Sequence, residues 1–328
     1  MNTTLFKLEE KKIKLDTYRP LNPALVANLG EWFRIELTYT SNAIEGNTLS
    51  RAETALVVEK GLTVDGKTLQ EQLEAVNHAH AFDWVMQKIS TGDTDITEKT
   101  ILYLHELILQ KIDTTNAGRY RSVPVRIAGS TVVMPNPLKV PALMKDFVAW
   151  IQSTKVHPVT LAIDAHYKLV SIHPFTDGNG RTARLLMNFL LLHAGYPPAI
   201  IRKEDRKLYI SSIEKAQLGG SLTNYYKLMY EAVNRSFDIY LSAVEGKEQE
   251  KVLVKKPLLK IGELARLVHE TVPTIRHWTK EGLLQVAEYS PGGYQLYDQN
   301  QVVLIKKIRE LQHKGRLTLG EIKKKIVE

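Results

Sequence analysis

The sequence predicts a mainly α protein: a helical bundle carrying one β-hairpin, followed by a small winged helix-turn-helix domain. Three observations predict it. Apolar residues recur at three- and four-residue steps along most of the first 245 residues. Strand-like patterning is convincing there in one stretch, residues 123–133, where Val125, Ile127, Val132 and Val133 flank the turn-forming Ala128-Gly129-Ser130. The charge also changes along the chain, with Lys plus Arg against Asp plus Glu standing at 29 to 28 over residues 1–250 and 15 to 8 over residues 251–328. Nearly all of the formal +8 therefore sits in the last 78 residues, which marks a second module suited to a polyanion.

Taken in order, a helix over about 27–40 places Leu29, Trp32, Phe33 and Leu37 on one face. The next helix has a legible start and stop, a capping box of Ser50 with Glu53 and then Gly61. Further helical patterns cover 69–88, 98–110, 141–152, 159–172, 182–193 and 223–241. The hairpin is closed by Met134-Pro135-Asn136-Pro137. Polar residues with Gly246 suggest a linker over 246–257, between a domain at 1–245 and another at 258–328. In the second domain, 261–268, 272–280 and 302–313 read as short helices, with a turn at Pro291-Gly292-Gly293.

Composition excludes several classes. At 328 residues, 44% hydrophobic and 24% charged, the chain is neither collagen-like nor disordered. With no cysteine, it has no thiol nucleophile, disulfide or Cys-ligated zinc. Residues 1–14 lack the apolar core of a secretory signal, and the longest apolar stretch, 185–194, is far short of the roughly 20 residues that cross a bilayer. A cytoplasmic protein with no membrane partner is expected.

The chemistry concentrates in His173-Pro174-Phe175-Thr176-Asp177-Gly178-Asn179-Gly180-Arg181-Thr182-Ala183-Arg184. Two glycines at a helix start leave backbone N–H groups unshielded, and such a place binds anions. Arg181 and Arg184 project from the first turn and can clamp separate phosphates. Asp177 beside a phosphate cradle suits Mg²⁺, and His173 can take a proton from an attacking hydroxyl.

This string resembles the signature of the Fic family, His-x-Phe-x-Asp/Glu-Gly-Asn-Gly-Arg-x-x-Arg, at every defining position. The likeness extends over roughly residues 30–240, with a core at about 95–240, and implies a Fic-type helical bundle. Gly118-Arg119-Tyr120-Arg121 with the following hairpin looks like the family's flap, an edge to which a target segment adds as a strand through Val125, Ile127, Val132 and Val133. The resemblance implies transfer of AMP from ATP to a Ser, Thr or Tyr hydroxyl of a target protein or of the chain itself. His173 would be the general base, Asp177 the Mg²⁺ ligand, and Gly178, Asn179 and Gly180 the anion hole. Arg181 would meet the β-phosphate side and Arg184 the γ-phosphate, while Phe175 packs inward.

Ser41-Asn42-Ala43-Ile44-Glu45-Gly46-Asn47 resembles the family's inhibitory motif, which implies that Glu45 pairs with Arg184 and turns ATP into a non-productive pose. Members with this brake can also run AMP removal. The C-terminal module resembles the DNA-binding domain of MerR-type regulators, with Thr274, Arg276 and His277 facing the major groove and Gly292–Tyr297 as a wing. DNA is the implied partner, a protein-binding role is the alternative, and a homodimer is compatible with half-site reading. The alternative for the whole chain is a DNA-binding regulator whose Fic domain senses nucleotide.

Overall fold

The computed structural model describes residues 3–246, 258–289, 293–298, 300–315 and 317–327. The chain divides into two compact units, Met1–Glu248 and Gln249–Glu328. The predicted linker at 246–257 lies outside the described residues, apart from Gly246, as do Pro291 and Gly292.

The first unit runs α1 (Thr3–Asp16), α2 (Pro23–Glu45), α3 (Arg51–Lys60), α4 (Leu69–Thr91), α5 (Glu98–Leu109), α6 (Val140–Ser153), α7 (Pro158–Ile172), α8 (Asn179–His193), α9 (Arg206–Gln217) and α10 (Thr223–Val244). Short polar signals set many of these ends. Ser50 with Glu53 and Thr68 with Glu71 close reciprocal capping boxes, and Gly46, Gly61 and Gly92 end α2, α3 and α4 in the left-handed conformation. Helix α2 is longer than its apolar pattern suggests, because Asn22 caps Ala24 and Leu25 and Pro23 fits the first helical position.

Helix α8 is the axis of the unit. Every residue from Arg181 to Leu191 is buried, and Phe33, Leu104, Leu169, Phe189, Met229 and Phe237, from four other helices and α8 itself, belong to the same core. A helix apolar on most sides must lie inside, and each such side chain contributes about 1.5–3 kcal/mol. The polar residues drawn in with it, Arg181, Thr182, Arg184 and Asn188, need partners in the interior.

Three features differ from the sequence reading. Helices α1 and α9 carry weak apolar patterns: α1 is largely charged, with Leu8 and Leu15 buried, and α9 buries only Tyr209 and Ser212. Helix α8 starts at Asn179 rather than at 182, so Asn179 and Gly180 belong to its first turn. Residues 123–133 turn back at Ala128-Gly129, where the Ser130 N–H reaches the Ile127 carbonyl, but they form no strand ladder. Their side chains still alternate, with Val132 and Met134 buried and Val133 exposed, and Pro124 and Pro135 offer no N–H at the base.

The second unit runs β1 (Leu259–Lys260), α11 (Ile261–Leu267), α12 (Val272–Lys280), β2 (Glu288–Tyr289), β3 (Gln295–Tyr297), α13 (Asn300–Gly315) and α14 (Leu319–Val327). Strand β3 is central, antiparallel to both neighbours, with Leu259 opposite Tyr297 and Glu288 opposite Leu296. Leu264, Ile275, Trp278, Leu284, Tyr297, Ile308 and Ile322 close its small core. This is a helix-turn-helix with a strand-built wing, as predicted. Among the described residues no helix is long and apolar enough to cross a membrane.

Candidate active site

The site is built where α7 hands over to α8. His173 ends α7 in the left-handed conformation, φ 51°, with its N–H on the Leu169 carbonyl at 2.9 Å. A non-glycine residue there costs about 1–3 kcal/mol and persists only when its surroundings fix it. They do so here: the Arg121 guanidinium donates from Nε to the His173 carbonyl at 2.7 Å, and the Arg121 N–H donates to the Pro174 carbonyl at 2.9 Å. The His173 ring sits with Nδ1 3.3 Å from the Val170 carbonyl. A carbonyl only accepts, so Nδ1 carries the hydrogen and Nε2 presents its lone pair. Burial, and then the nearby Arg121 cation, push the His173 pKa down, so the ring is neutral at pH 7.

The loop between is held from inside. The Asn179 amide accepts from the Phe175 N–H and donates to the Phe175 carbonyl, both at 2.9 Å. Its side chain therefore locks the loop instead of facing an anion, and from the Asn179 of the predicted anion hole only the backbone at the α8 start remains. Phe175 is fully buried, as expected, and stacks on His105 with ring centroids 3.6 Å apart. His105 in turn lies with Nε2 3.0 Å from the Asp177 carbonyl and accepts the Gly118 N–H at Nδ1, 3.1 Å away. Burial holds its pKa down at about 4, so it serves as a neutral bridge. Gly178 takes φ 74°, and a Cβ there would meet the His105 ring at 3.2 Å.

Arg184 is 5% exposed at its side chain and fully engaged. It donates from Nε to Ser41 Oγ at 2.9 Å, from Nη2 to the Ser41 carbonyl at 2.9 Å and to Glu45 Oε1 at 2.6 Å, and from Nη1 to the Tyr209 hydroxyl at 3.4 Å. Burial opposes its charge, and the facing Glu45 carboxylate more than offsets that. Glu45 also lies against the α8 start: a Cβ on Gly180 would collide with its Oε1. The carboxylate thus lies against the N-terminal turn of α8, where the helix end favours an anion.

Arg181 is buried too, near Glu74 at 3.3 Å and bonded to Asp177 Oδ2 at 3.1 Å, while its Nε and Nη1 lack hydrogen-bond partners. The Asp177 side chain is 64% exposed and presents its carboxylate at the loop rim. Among the described residues no three His, Asp or Glu cluster into a ready-made metal site. One exposed carboxylate beside an anion site is nonetheless the donor set that Mg²⁺ uses when phosphates supply the rest.

The flap residues divide: Val132 is buried, Val125 and Ile127 are half-buried, and Val133 faces solvent. Arg121 ties both ends of the segment, donating from Nη1 to the Val123 carbonyl at 3.1 Å and from Nη2 to the Pro135 carbonyl at 2.6 Å. Ser130 Oγ donates to Glu214 on α9 at 2.7 Å. In the second unit, Arg276 and His277 on α12 are exposed, whereas the Thr274 hydroxyl pairs with that of the cap residue Thr271 at 2.8 Å. No local sequence pattern marks His105, Tyr209 or Glu74 as part of the site. They come from α5, α9 and α4, and only the fold brings them to α8.

A helical unit whose central helix begins under a His-x-Phe-x-Asp-Gly-Asn-Gly-Arg-x-x-Arg loop defines the class: the chain belongs to the Fic/DOC family, whose model matches residues 95–191. The model of the MerR HTH family regulatory proteins matches residues 259–327. Among curated proteins, the chain is 34% identical over 282 residues to the protein adenylyltransferase Fic of Aedes aegypti, covering 85% of this chain and 54% of that one. The chain spans about half the length of the curated relatives it matches. Among solved structures, Fic-1 (residues 134–508) of C. elegans aligns with a TM-score of 0.68 and 30% identity, over 75% of this chain and 73% of that one. A Fic domain containing signaling protein from Bacteroides thetaiotaomicron aligns with a TM-score of 0.68 and 29% identity, over 76% and 99%.

Proposed function

We propose that the first unit transfers AMP from ATP to a hydroxyl of a protein, and that Glu45 restrains it. The observation that carries this reading is the Glu45–Arg184 pair at 2.6 Å, set against the α8 start beside a neutral His173 with a free Nε2. Curated relatives named protein adenylyltransferase Fic support the reaction class. His173 Nε2 takes the proton as the target oxygen bonds to the α-phosphorus, the bond to the bridging oxygen breaks, and pyrophosphate leaves. Such transfer depends on positioning and on stabilising spread charge more than on covalent help. Gly178, Gly180 and the α8 backbone face the phosphates, with Arg181 toward the β- and Arg184 toward the γ-phosphate. Asp177 would hold Mg²⁺, which when bound neutralises phosphate charge. While Glu45 occupies Arg184, a carboxylate competes with the phosphate for one guanidinium.

Two further readings have support. Glu45 lies at the α8 start, where a carboxylate could orient water for AMP removal. For the second unit, the MerR-family match and the exposed Arg276 and His277 favour DNA as its partner, with a salt-dependent affinity. The test of the reaction is Glu45→Gly protein incubated with ATP labelled at either the α- or the γ-phosphate. Label on protein from the α-position alone is expected; label from the γ-position would make it a kinase-type transfer instead.

A further inference from the structure

We propose that Tyr209 is the positioning residue of Arg184, held in that role by a buried relay through His166 and Tyr225 whose polarity is fixed from its far end. The proposal rests on the reading of Arg184 as the γ-phosphate contact. Three of the four hydrogen bonds of Arg184 go to Ser41 and Glu45, all on the last turns of α2. The fourth, to the Tyr209 hydroxyl on α9, is the one partner outside α2 among the described residues. When nucleotide displaces Glu45, Tyr209 is the contact that does not belong to the brake.

The relay can be read in one direction only. The Tyr225 hydroxyl donates to the Ile163 carbonyl at 2.9 Å, and a carbonyl cannot donate back. A tyrosine has one hydroxyl hydrogen, so toward His166 Nδ1, 2.7 Å away, Tyr225 can only accept. His166 therefore carries its hydrogen on Nδ1 and presents a lone pair at Nε2. That lone pair accepts the Tyr209 hydroxyl hydrogen at 2.7 Å. Tyr209 is left with its oxygen lone pairs for Arg184, whatever the state of Glu45. Burial and the neighbouring Arg184 charge keep His166 unprotonated, with a pKa near 3, so the relay does not reverse at neutral pH. All four groups are buried, so water does not substitute for a lost member.

The test is nucleotide affinity by calorimetry in Glu45→Gly/His173→Ala protein, where the brake is off and turnover is blocked. ADP lacks the γ-phosphate and serves as the internal control. Tyr209→Phe should weaken ATP about tenfold, the loss expected of one hydrogen bond to a charged group, and leave ADP within about twofold. Tyr225→Phe, which touches neither nucleotide nor Arg184, frees the relay to reverse and should weaken ATP selectively in the same direction by a smaller factor. Equal losses for ATP and ADP, or no loss with either variant, would overturn the proposal. An Arg184→Lys arm separates the two layers: if it erases the preference for ATP and the tyrosine variants do not, the relay fails while the γ-phosphate reading stands. If Arg184→Lys changes nothing, that reading itself is wrong.

Discussion

The loop from His173 to Arg184 and the segment from Arg121 to Pro135 lie side by side, yet they are held in opposite ways. The loop is pinned from within by Asn179, from beneath by His105 and from the side by Arg121. The flap is fixed at its two ends by the same Arg121 and at its tip by Ser130, and between them no ladder forms. Rigid placement suits the proposed site of bond change, and an unpaired edge suits the proposed addition of a partner strand. One guanidinium joins the two, bonded at once to both ends of the segment and to the backbone of His173.

The largest loss is expected at His173. His173→Ala should lower transfer by about 100-fold or more, the scale of lost general-base catalysis, with ATP affinity retained; comparable rates would remove His173 from the mechanism. Next, Asn179→Ala strands the Phe175 N–H and carbonyl in the interior, and should cost about 2–4 kcal/mol in denaturant unfolding as well as most activity. Unchanged stability would mean that the loop is not held from inside.

The third test concerns pH. Because burial and Arg121 lower the His173 pKa from its ordinary value of about 6.5, the neutral form proposed to be active dominates above that value. Transfer should therefore stay flat from pH 8 down to about 6.5 and fall only at lower pH. Arg121→Gln removes a cation and should move the midpoint upward; a midpoint that stays put would show that the Arg121 charge is not felt at the ring. The smallest effect is expected at the flap. Val133→Ser, on an exposed outward position, should change the KM for a protein target by about two- to fivefold, on the scale of one cross-strand pair, without altering ATP affinity or stability.

Much of the site was legible because it is contiguous. The string from His173 to Arg184 and the capping box at Ser50 are local patterns visible in the sequence, and the contact between Glu45 and Arg184 that the resemblance implied is present in the structure. Hydrophobic periodicity likewise gave the helices that bury a broad face. Helices α1 and α9 escaped because they bury a few residues each, Leu8 and Leu15 on one and Tyr209 and Ser212 on the other. The missing strand ladder has a related cause: alternation reports which side chains face inward, not whether a second strand is paired. Asn179 was assigned to an anion and turned out to face Phe175, since a short polar side chain at a helix start bonds whichever backbone group the loop presents. His105, Arg121 and Tyr209 act through backbone and hydroxyl partners far off in sequence, and no spacing rule encodes those.

In the proposed mechanism a prearranged site is restrained by one carboxylate on Arg184. The initial rate of AMP incorporation by Glu45→Gly against the unaltered protein, at saturating ATP and equal thermal stability, tests it directly. A rise of about tenfold or more, the worth of releasing one charge-assisted contact, is the expected result. Equal rates in the two proteins would contradict it.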